Sequence, residues 1–466
     1  MGDEVWRLSA IEQAQGIRDG RFSSRELVSA HLARIEAVNG DLNAVTVVLA
    51  DDALAAAAAA DERTAAGGAL PALHGVPCTV KENLDCVGSA TTQGLPAMAD
   101  AQPPLDAPVV ERLRAAGAIP IGRTNLPEMG LRISTNNPLR GLTRNPWHPD
   151  LTAGGSSGGE AAAIATGMSP LGLGNDLGGS LRNPAFCCGI ASIKPTQGRV
   201  PAASSLEPLD GMLAVQLMAT DGPMARRIAD IRLGLQVLSG QHPRDPRSVS
   251  VPFAGLPAPP RAAIVTDLPG EPVAPAIADA VRDAGKLLEG AGYDVTEIEA
   301  PELERVNELW AHLLGGGILA FMDLFRAVMS APALGLLDEF TRRFPPEVLP
   351  VDVLAMDRSR LGRRWAELFQ THPVVVGPVW PDPPFAHDAD LEMPAGLDLT
   401  LSRLRFITPG NLLGLPGVVV PTGTADGLPM AVQVYADRFR DDLALDAAEA
   451  IEAASGTITP IDPVLA

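Results

Sequence analysis

Two serines and one lysine stand out by type and setting. Ser156 sits in the run Ala153-Gly154-Gly155-Ser156-Ser157-Gly158-Gly159, and Ser180 ends Leu177-Gly178-Gly179-Ser180. Glycine at this density lets backbone approach another group closely and take up torsions that other residues avoid. The consecutive N–H groups of Leu177, Gly178, Gly179 and Ser180 can converge on one point, as an oxyanion hole for an acyl-transfer intermediate requires. Phosphate chemistry fits less well. A Walker loop needs G-x-x-x-x-G-K-[ST], and no such lysine follows these glycines. Gly172, Gly174 and Gly178 come near a dinucleotide-loop spacing, but no obvious amphipathic helix starts after Gly179. The G-G-S-L-R context of Ser180 also differs from the G-x-S-x-G nucleophile elbow.

A serine nucleophile needs a base, and none of the seven histidines falls within either glycine loop. A lysine is the better candidate. Cys78 to Val80 is short and apolar, which puts Lys81 at the end of a buried strand. Read alone, Lys81 is either a surface lysine with its stem along apolar surface, the commoner case, or a desolvated amine. Desolvation lowers a lysine pKa and leaves a neutral amine able to take a proton. His74, nearby, reads as structural.

Taken together, Gly75-Val76-Pro77-Cys78-Thr79-Val80-Lys81-Glu82-Asn83, the loop around Ser156 and Asp176-Leu177-Gly178-Gly179-Ser180-Leu181-Arg182-Asn183-Pro184 resemble the amidase signature family of serine hydrolases. The resemblance is strong from Gly75 to Pro201. It takes in Gly122-Arg123-Thr124-Asn125, Glu128, Thr143 to Trp147, Phe186 to Gly189 and Lys194-Pro195-Thr196. It is fainter at Asp221-Gly222-Pro223-Met224 and from Asn411 to Val434, and little of it is visible between 241 and 400.

The resemblance implies an α/β fold with one large mixed β-sheet covered by helices on both faces. It implies a Ser–cisSer–Lys triad in which Ser180 is the nucleophile, Lys81 the neutral base and Ser156 the proton relay. The peptide before the relay serine, Gly155–Ser156, would be cis. The oxyanion would rest on the N–H groups of Leu177, Gly178, Gly179 and Ser180. Gly155, Asn175, Asp176 and Arg182 would support the loops, Asp176 and Arg182 by polar bonds that hold the second one rigid. Asn175 departs from the family, where threonine is common; its amide would donate to the relay as a hydroxyl does. No cofactor and no metal are implied.

The elements that position these residues follow from local pattern. Ser9 to Asn39 reads as helices, with a capping box at Ser23-Ser24-Arg25-Glu26. Leu42 to Leu49 is rich in strand formers, and Asp51 to Ala65 is an alanine-rich helix. Asp106 to Ala116 is helical and Ile119 to Gly122 a short strand. Glu160 to Thr166 suits a tightly packed helix, and Leu171 and Leu173 alternate with glycine in a buried strand. Asn136 to Asp150 is loop-like. Pro223 to Ser239 reads as a helix with Ile228, Ile231, Leu235 and Leu238 inward. Beyond the surface linker Val251 to Pro260, the β-α-β order of Ala262–Thr266, Ala274–Gly290 and Tyr293–Ile298 implies parallel pairing. Glu302 to Phe369 is mainly helical. Its apolar residues, Trp310, Leu314 and Ile318 among them, read either as core or as a wall of the substrate pocket. Val374 to Trp380 is a strand, Pro381 to Pro394 an exposed loop, Leu415–Pro421 and Met430–Tyr435 late strands, and Asp442 to Ala454 a closing helix.

Length permits several domains, but the resemblance implies one unit over 1–466. That unit divides into a helical segment (1–65), a signature core (66–240), a variable pocket region (241–400) and a return to the core (401–466). A net charge of −20 argues against nucleic-acid and anionic-membrane partners. The amino-terminal stretch lacks a signal-peptide apolar region. The four cysteines, Cys78, Cys86, Cys187 and Cys188, fit no zinc or disulfide spacing, so they read as buried, reduced thiols in a cytoplasmic protein.

The expected activity is cleavage of a linear amide or related C–N acyl bond, such as an anilide or a carbamate (a urethanase activity), with an esterase side activity. The substrate would be a small molecule, and a homodimer is compatible with the reading. The alternative is the glutamine-hydrolysing subunit of a tRNA-dependent amidotransferase, with Arg342, Arg343 and Asp323 as the charges available to hold glutamine. A catalytically dead binding protein fits poorly with two serines and a lysine in register.

Overall fold

Among the described residues of the computed structural model, 4–464, eleven strands form one sheet. Met1 to Asp3 of the acidic amino-terminal stretch, and Leu465 and Ala466, lie outside them. The strands are β1 (Val45–Val48), β2 (Pro77–Lys81), β3 (Ile119–Thr124), β4 (Leu171–Asp176), β5 (Ala191–Lys194), β6 (Thr220–Ala225), β7 (Arg261–Ile264), β8 (Asp294–Glu297), β9 (Val374–Pro378), β10 (Gly417–Ala425) and β11 (Leu428–Ala436). Their order is β1-β3-β2-β4-β6-β5-β10-β11-β9-β7-β8. The sheet is mixed: β3, β2 and β4 run parallel, as do β9, β7 and β8, while the strands between are antiparallel.

Both faces of the sheet's central strands are buried, whereas the edge strands β1 and β8 are partly exposed. Val374, Val376, Val418, Val420, Val432 and Val434 belong to one apolar cluster, with Ile231, Leu235, Val281, Leu288 and Leu445 from covering helices. Val375, Val419 and Tyr435 face the other cluster, with Phe186, Trp310, Phe340 and Trp365. Alternating side chains on a strand point to opposite faces, so a strand covered on both sides reads as an unbroken apolar run such as Val374-Val375-Val376.

Helices Ala10–Arg18 and Ser24–Leu42 each begin with a capping box, at Ser9/Glu12 and Ser23/Glu26. No single described helix is long and apolar enough to cross a bilayer; Leu303–Ala320 and Met322–Val328 meet those limits only as a pair bent by 68°. All four cysteines are free and buried. His74 Nε2 lies 2.9 Å from Thr64 Oγ1 and 3.1 Å from the Ala60 carbonyl, in keeping with a structural role.

Two local expectations need correction. The segment read as the start of a helix at Pro223 is strand β6, and the helix begins only at Ile228. Asp, Gly and Pro disfavour strands, but tertiary pairing overrides them. The ladder to β5 stops at Met224, before Pro223, and Gly222 leaves room for the Ile193 carbonyl, 2.5 Å from where a Cβ would stand. The segment Pro381 to Pro394 is not an exposed loop. Phe385 and Asp390 are buried, and Leu151 bridges to Ala386.

A candidate active site at the ends of β2 and β4

The register of the central strands places the reactive residues together. Strands β2 and β4 are parallel neighbours with Val80 beside Leu173, so Lys81 and Asn175–Asp176 emerge at the same edge. Strand β6 runs antiparallel to β4, and its Asp221 pairs with Asn175. Carboxyl ends of parallel strands are a recurrent place for sites in open α/β sheets. Both glycine loops cross this edge. Ser156 lies just before the helix Gly158–Ala165, and Ser180 just before the helix Arg182–Cys188.

The first loop is packed too closely for any side chain at Gly155, where a Cβ would stand 2.7 Å from the Arg132 carbonyl oxygen. The Gly155–Ser156 peptide is cis. Lys81 is fully buried, and its Nζ donates to Ser156 Oγ at 2.7 Å and to Asn175 Oδ1 at 2.7 Å. The Asn175 amide therefore accepts from the lysine, where a donor to the relay had been expected. Burial drives the lysine down to about 7, against the opposing pull of Asp176, Asp221 and Glu160. Desolvation likewise pushes Asp221 up to about 7, with Lys81 acting against it. Glu160 is also pushed up to about 7 by burial, although Thr79 and Thr124 donate to its carboxylate. Sequence reasoning assigned Asp221 and Glu160 no role. Asp221 lay within the fainter stretch of the resemblance, and nothing local shows that it faces a lysine 140 residues earlier.

Ser180 is mostly buried yet lines a cavity, and its Oγ has no hydrogen-bond partner among the described residues. The Ser157 N–H donates to the Ser180 carbonyl at 3.2 Å, which ties the two loops together. The expected set of four oxyanion donors is reduced by one. The Gly179 N–H donates to Asp176 Oδ1 at 2.7 Å, because the carboxylate at the end of β4 caps the loop that follows it. Leu177, Gly178 and Ser180 keep N–H groups without partners among the described residues.

Asp176 and Arg182 form a fully buried pair, with Nε to Oδ2 at 3.0 Å and Nη2 to Oδ1 at 3.1 Å. The guanidinium also reaches Gln433, Tyr435, Asn411 and the Ile407 carbonyl. Although burial opposes ionisation, Arg182 and Asn411 hold the Asp176 carboxyl down at about 2. An Asp176→Ala variant leaves Arg182 buried without its counter-ion. It is expected to lose about 3–5 kcal/mol of stability, seen as a lower midpoint in denaturant titration of variant and parent.

The cavity beside Ser180 encloses about 60 Å³ of water-accessible space, and reaches about 550 Å³ only when open solvent at its mouth is counted. Its walls are Leu131, Ile133, Trp310, Leu314, Ile318, Leu336, Leu337, Phe340 and Leu404. The apolar stretch from 302 onward is thus both core and pocket wall. Arg132 is the one charged residue among the lining groups, and it is neutralised: Nε and Nη2 bind Asp390 at 2.9 and 2.8 Å, and Nη2 binds Asp388 at 2.6 Å. Arg342 and Arg343 pair with Glu339 and, for Arg343, Asp398, away from the cavity, while Asp323 is exposed. None of these three lines the pocket.

This combination of a desolvated amine, a hydroxyl bonded to it, a second hydroxyl facing an apolar cavity and free backbone N–H groups suits acyl transfer. The family model described as Amidase matches residues 26–445. The indoleacetamide hydrolase of Bradyrhizobium diazoefficiens is 42% identical over 97% of this chain and 88% of that protein. A glutamyl-tRNA(Gln) amidotransferase subunit of Salinispora arenicola is 33% identical over 98% of this chain and 99% of that protein. A solved bacterial aryl acylamidase of the amidase signature enzymes superposes with a TM-score of 0.83 at 26% identity, covering 98% of this chain and 97% of that one.

Proposed function

The chain belongs to the amidase family and is a hydrolase of amide C–N bonds, and from that premise we propose that it works alone on uncharged, apolar amides through an acyl-enzyme on Ser180. In this reading Ser180 Oγ attacks the carbonyl carbon and passes its proton to Ser156, whose own proton moves to Lys81 Nζ. The new C–O bond leaves negative charge on the former carbonyl oxygen, held by the Leu177, Gly178 and Ser180 N–H groups. As the C–N bond breaks, the proton returns from Lys81 through Ser156 to the leaving nitrogen, which departs poorly unless protonated. Water then attacks the ester, with its proton travelling the same route, and releases the acid and Ser180.

The observation that carries this reading is the buried Lys81 amine 2.7 Å from Ser156 Oγ, beside a cavity that Ser180 lines. The substrate class rests on the walls. A cavity lined by leucine, isoleucine, phenylalanine and tryptophan favours an aryl or alkyl acyl group. The relatives that act on indoleacetamide and on aryl acylamides support the same choice. Aryl carbamates and esters present the same carbonyl to Ser180 and belong to the proposed range. The glutamine-hydrolysing alternative has less support: free glutamine needs groups for its α-amino and α-carboxyl charges, and Arg132 is already paired twice.

A panel of indole-3-acetamide, phenylacetamide, anilides, an aryl carbamate, an aryl ester and glutamine, tested with the isolated chain, checks this. Apolar amides are expected to exceed glutamine in kcat/KM by at least about 100-fold, since desolvating glutamine's unpaired charges costs several kcal/mol. Glutamine as the best substrate would reverse the assignment.

A further inference from the structure

We propose that Trp310 is a positioning residue for the oxyanion site, an inference that rests on the acyl-transfer reading above. Trp310 lies in the helix Leu303–Ala320, in the part of the chain where the family resemblance is least visible. Its indole Nε1–H donates to the Leu177 carbonyl at 3.2 Å. That carbonyl belongs to the same peptide unit as the Gly178 N–H, one of three cavity-lining N–H groups without a partner among the described residues. The unit is planar and trans, so its C=O and N–H point in opposite directions. Holding one end fixes the other.

A second contact acts on the same unit. A Cβ on Gly178 would stand 2.7 Å from Trp310 Cζ2, so the indole edge lies directly against the Gly178 backbone. Rotation of the peptide toward the indole is blocked by this contact, and rotation away breaks the Nε1–H bond. The indole is itself braced by Phe340, edge-on at 6.2 Å between ring centroids and 81° between planes. Trp310 and Phe340 are also cavity walls. A bound acyl group therefore presses on the side chain that aims the Gly178 donor. Binding contacts away from the reacting bond are thereby converted into orientation at the oxyanion, which is how remote contacts raise kcat as well as lowering KM.

The test is Trp310→Phe, which keeps an aromatic wall and removes the donor, alongside Trp310 replaced by 3-benzothienylalanine, which keeps the shape of indole and lacks the N–H. Turnover of the best amide from the panel is measured together with two inhibitors: a trifluoromethyl ketone of the same acyl group, which forms a tetrahedral adduct on Ser180, and the product acid. Loss of one oxyanion donor costs about 10²–10³ in kcat, and loss of its orientation alone is expected to cost about 10–100-fold. In both variants kcat should fall by that factor while KM moves less than about threefold. Ketone affinity should fall in step with kcat/KM, with the product acid's affinity unchanged. A change in KM and product affinity alone would make Trp310 merely a wall and overturn the inference. The benzothienyl form keeps the question open to measurement where the phenylalanine variant is unstable; wild-type kcat and ketone affinity in either folded variant reject the role. Failure of the parent chain to react at Ser180 with the ketone or with a fluorophosphonate would instead reject the acyl-transfer reading, and this inference with it.

Discussion

Replacing Ser180 with alanine is expected to lower kcat by about 10⁴–10⁶-fold, the range seen when a serine hydrolase loses its nucleophile. No neighbouring hydroxyl can take over. Ser156 Oγ is bonded to Lys81 Nζ and Ser157 Oγ is buried without a partner among the described residues, and neither serine lines the cavity. The fold should survive, because Ser180 Oγ has no hydrogen-bond partner among the described residues and its removal orphans none of their polar groups. Steady-state turnover, a thermal melt and fluorophosphonate labelling read by mass spectrometry separate the outcomes. The parent should be labelled on Ser180 alone, and the variant should melt within a degree or two of it and take up no label. More than about 1% residual activity in a protein free of parental contamination would move the nucleophile elsewhere.

The residues proposed to react stand out in the sequence because each has a distinctive local setting. Lys81 ends an apolar strand, Ser156 and Ser180 sit in glycine loops, and Asp176 and Arg182 are six residues apart. What the sequence hid is long-range. Arg132 meets Asp388 and Asp390 more than 250 residues later, so the segment around them looks like a polar, proline-rich loop when it is in fact docked against the pocket. Strand β6 was hidden by Asp221-Gly222-Pro223, whose weak intrinsic preference is overridden by pairing with β4. Trp310 stood among apolar residues at helical spacing, and nothing in that pattern separates a packed indole from one donating to Leu177. The assignment of Gly179 as an oxyanion donor failed for the same kind of reason: a run of N–H groups is visible in sequence, but the acceptor that each one meets is not.

The pH profile should bear the mark of Lys81. Its neutral form takes the proton, and burial holds its pKa down at about 7 from an ordinary 10.5. The ratio kcat/KM should therefore rise about tenfold per pH unit on the acid side and level off above about 7. A Lys81→Met variant, similar in volume, should lose about 10³-fold or more in kcat and lose the acid limb with it. The limb belongs to a cluster, since Asp221 and Glu160 titrate in the same range and each favours the charged lysine. Asp221→Asn removes one of those carboxylates. It should shift the limb to lower pH, leaving the variant closer to its own plateau at pH 6 than the parent is. A limb unmoved by Asp221→Asn would detach that carboxylate from the lysine, and a flat parental profile from pH 5 to 9 would remove Lys81 as the base. Folding linkage gives an independent check with the same sign. Between about 7 and 10.5 the unfolded chain binds a proton at Lys81 that the folded chain does not, so this residue's contribution to stability grows as pH rises through that window. Denaturant titrations at pH 7 and pH 9 should show a smaller gain with pH for Lys81→Met than for the parent, whether or not a substrate has been found.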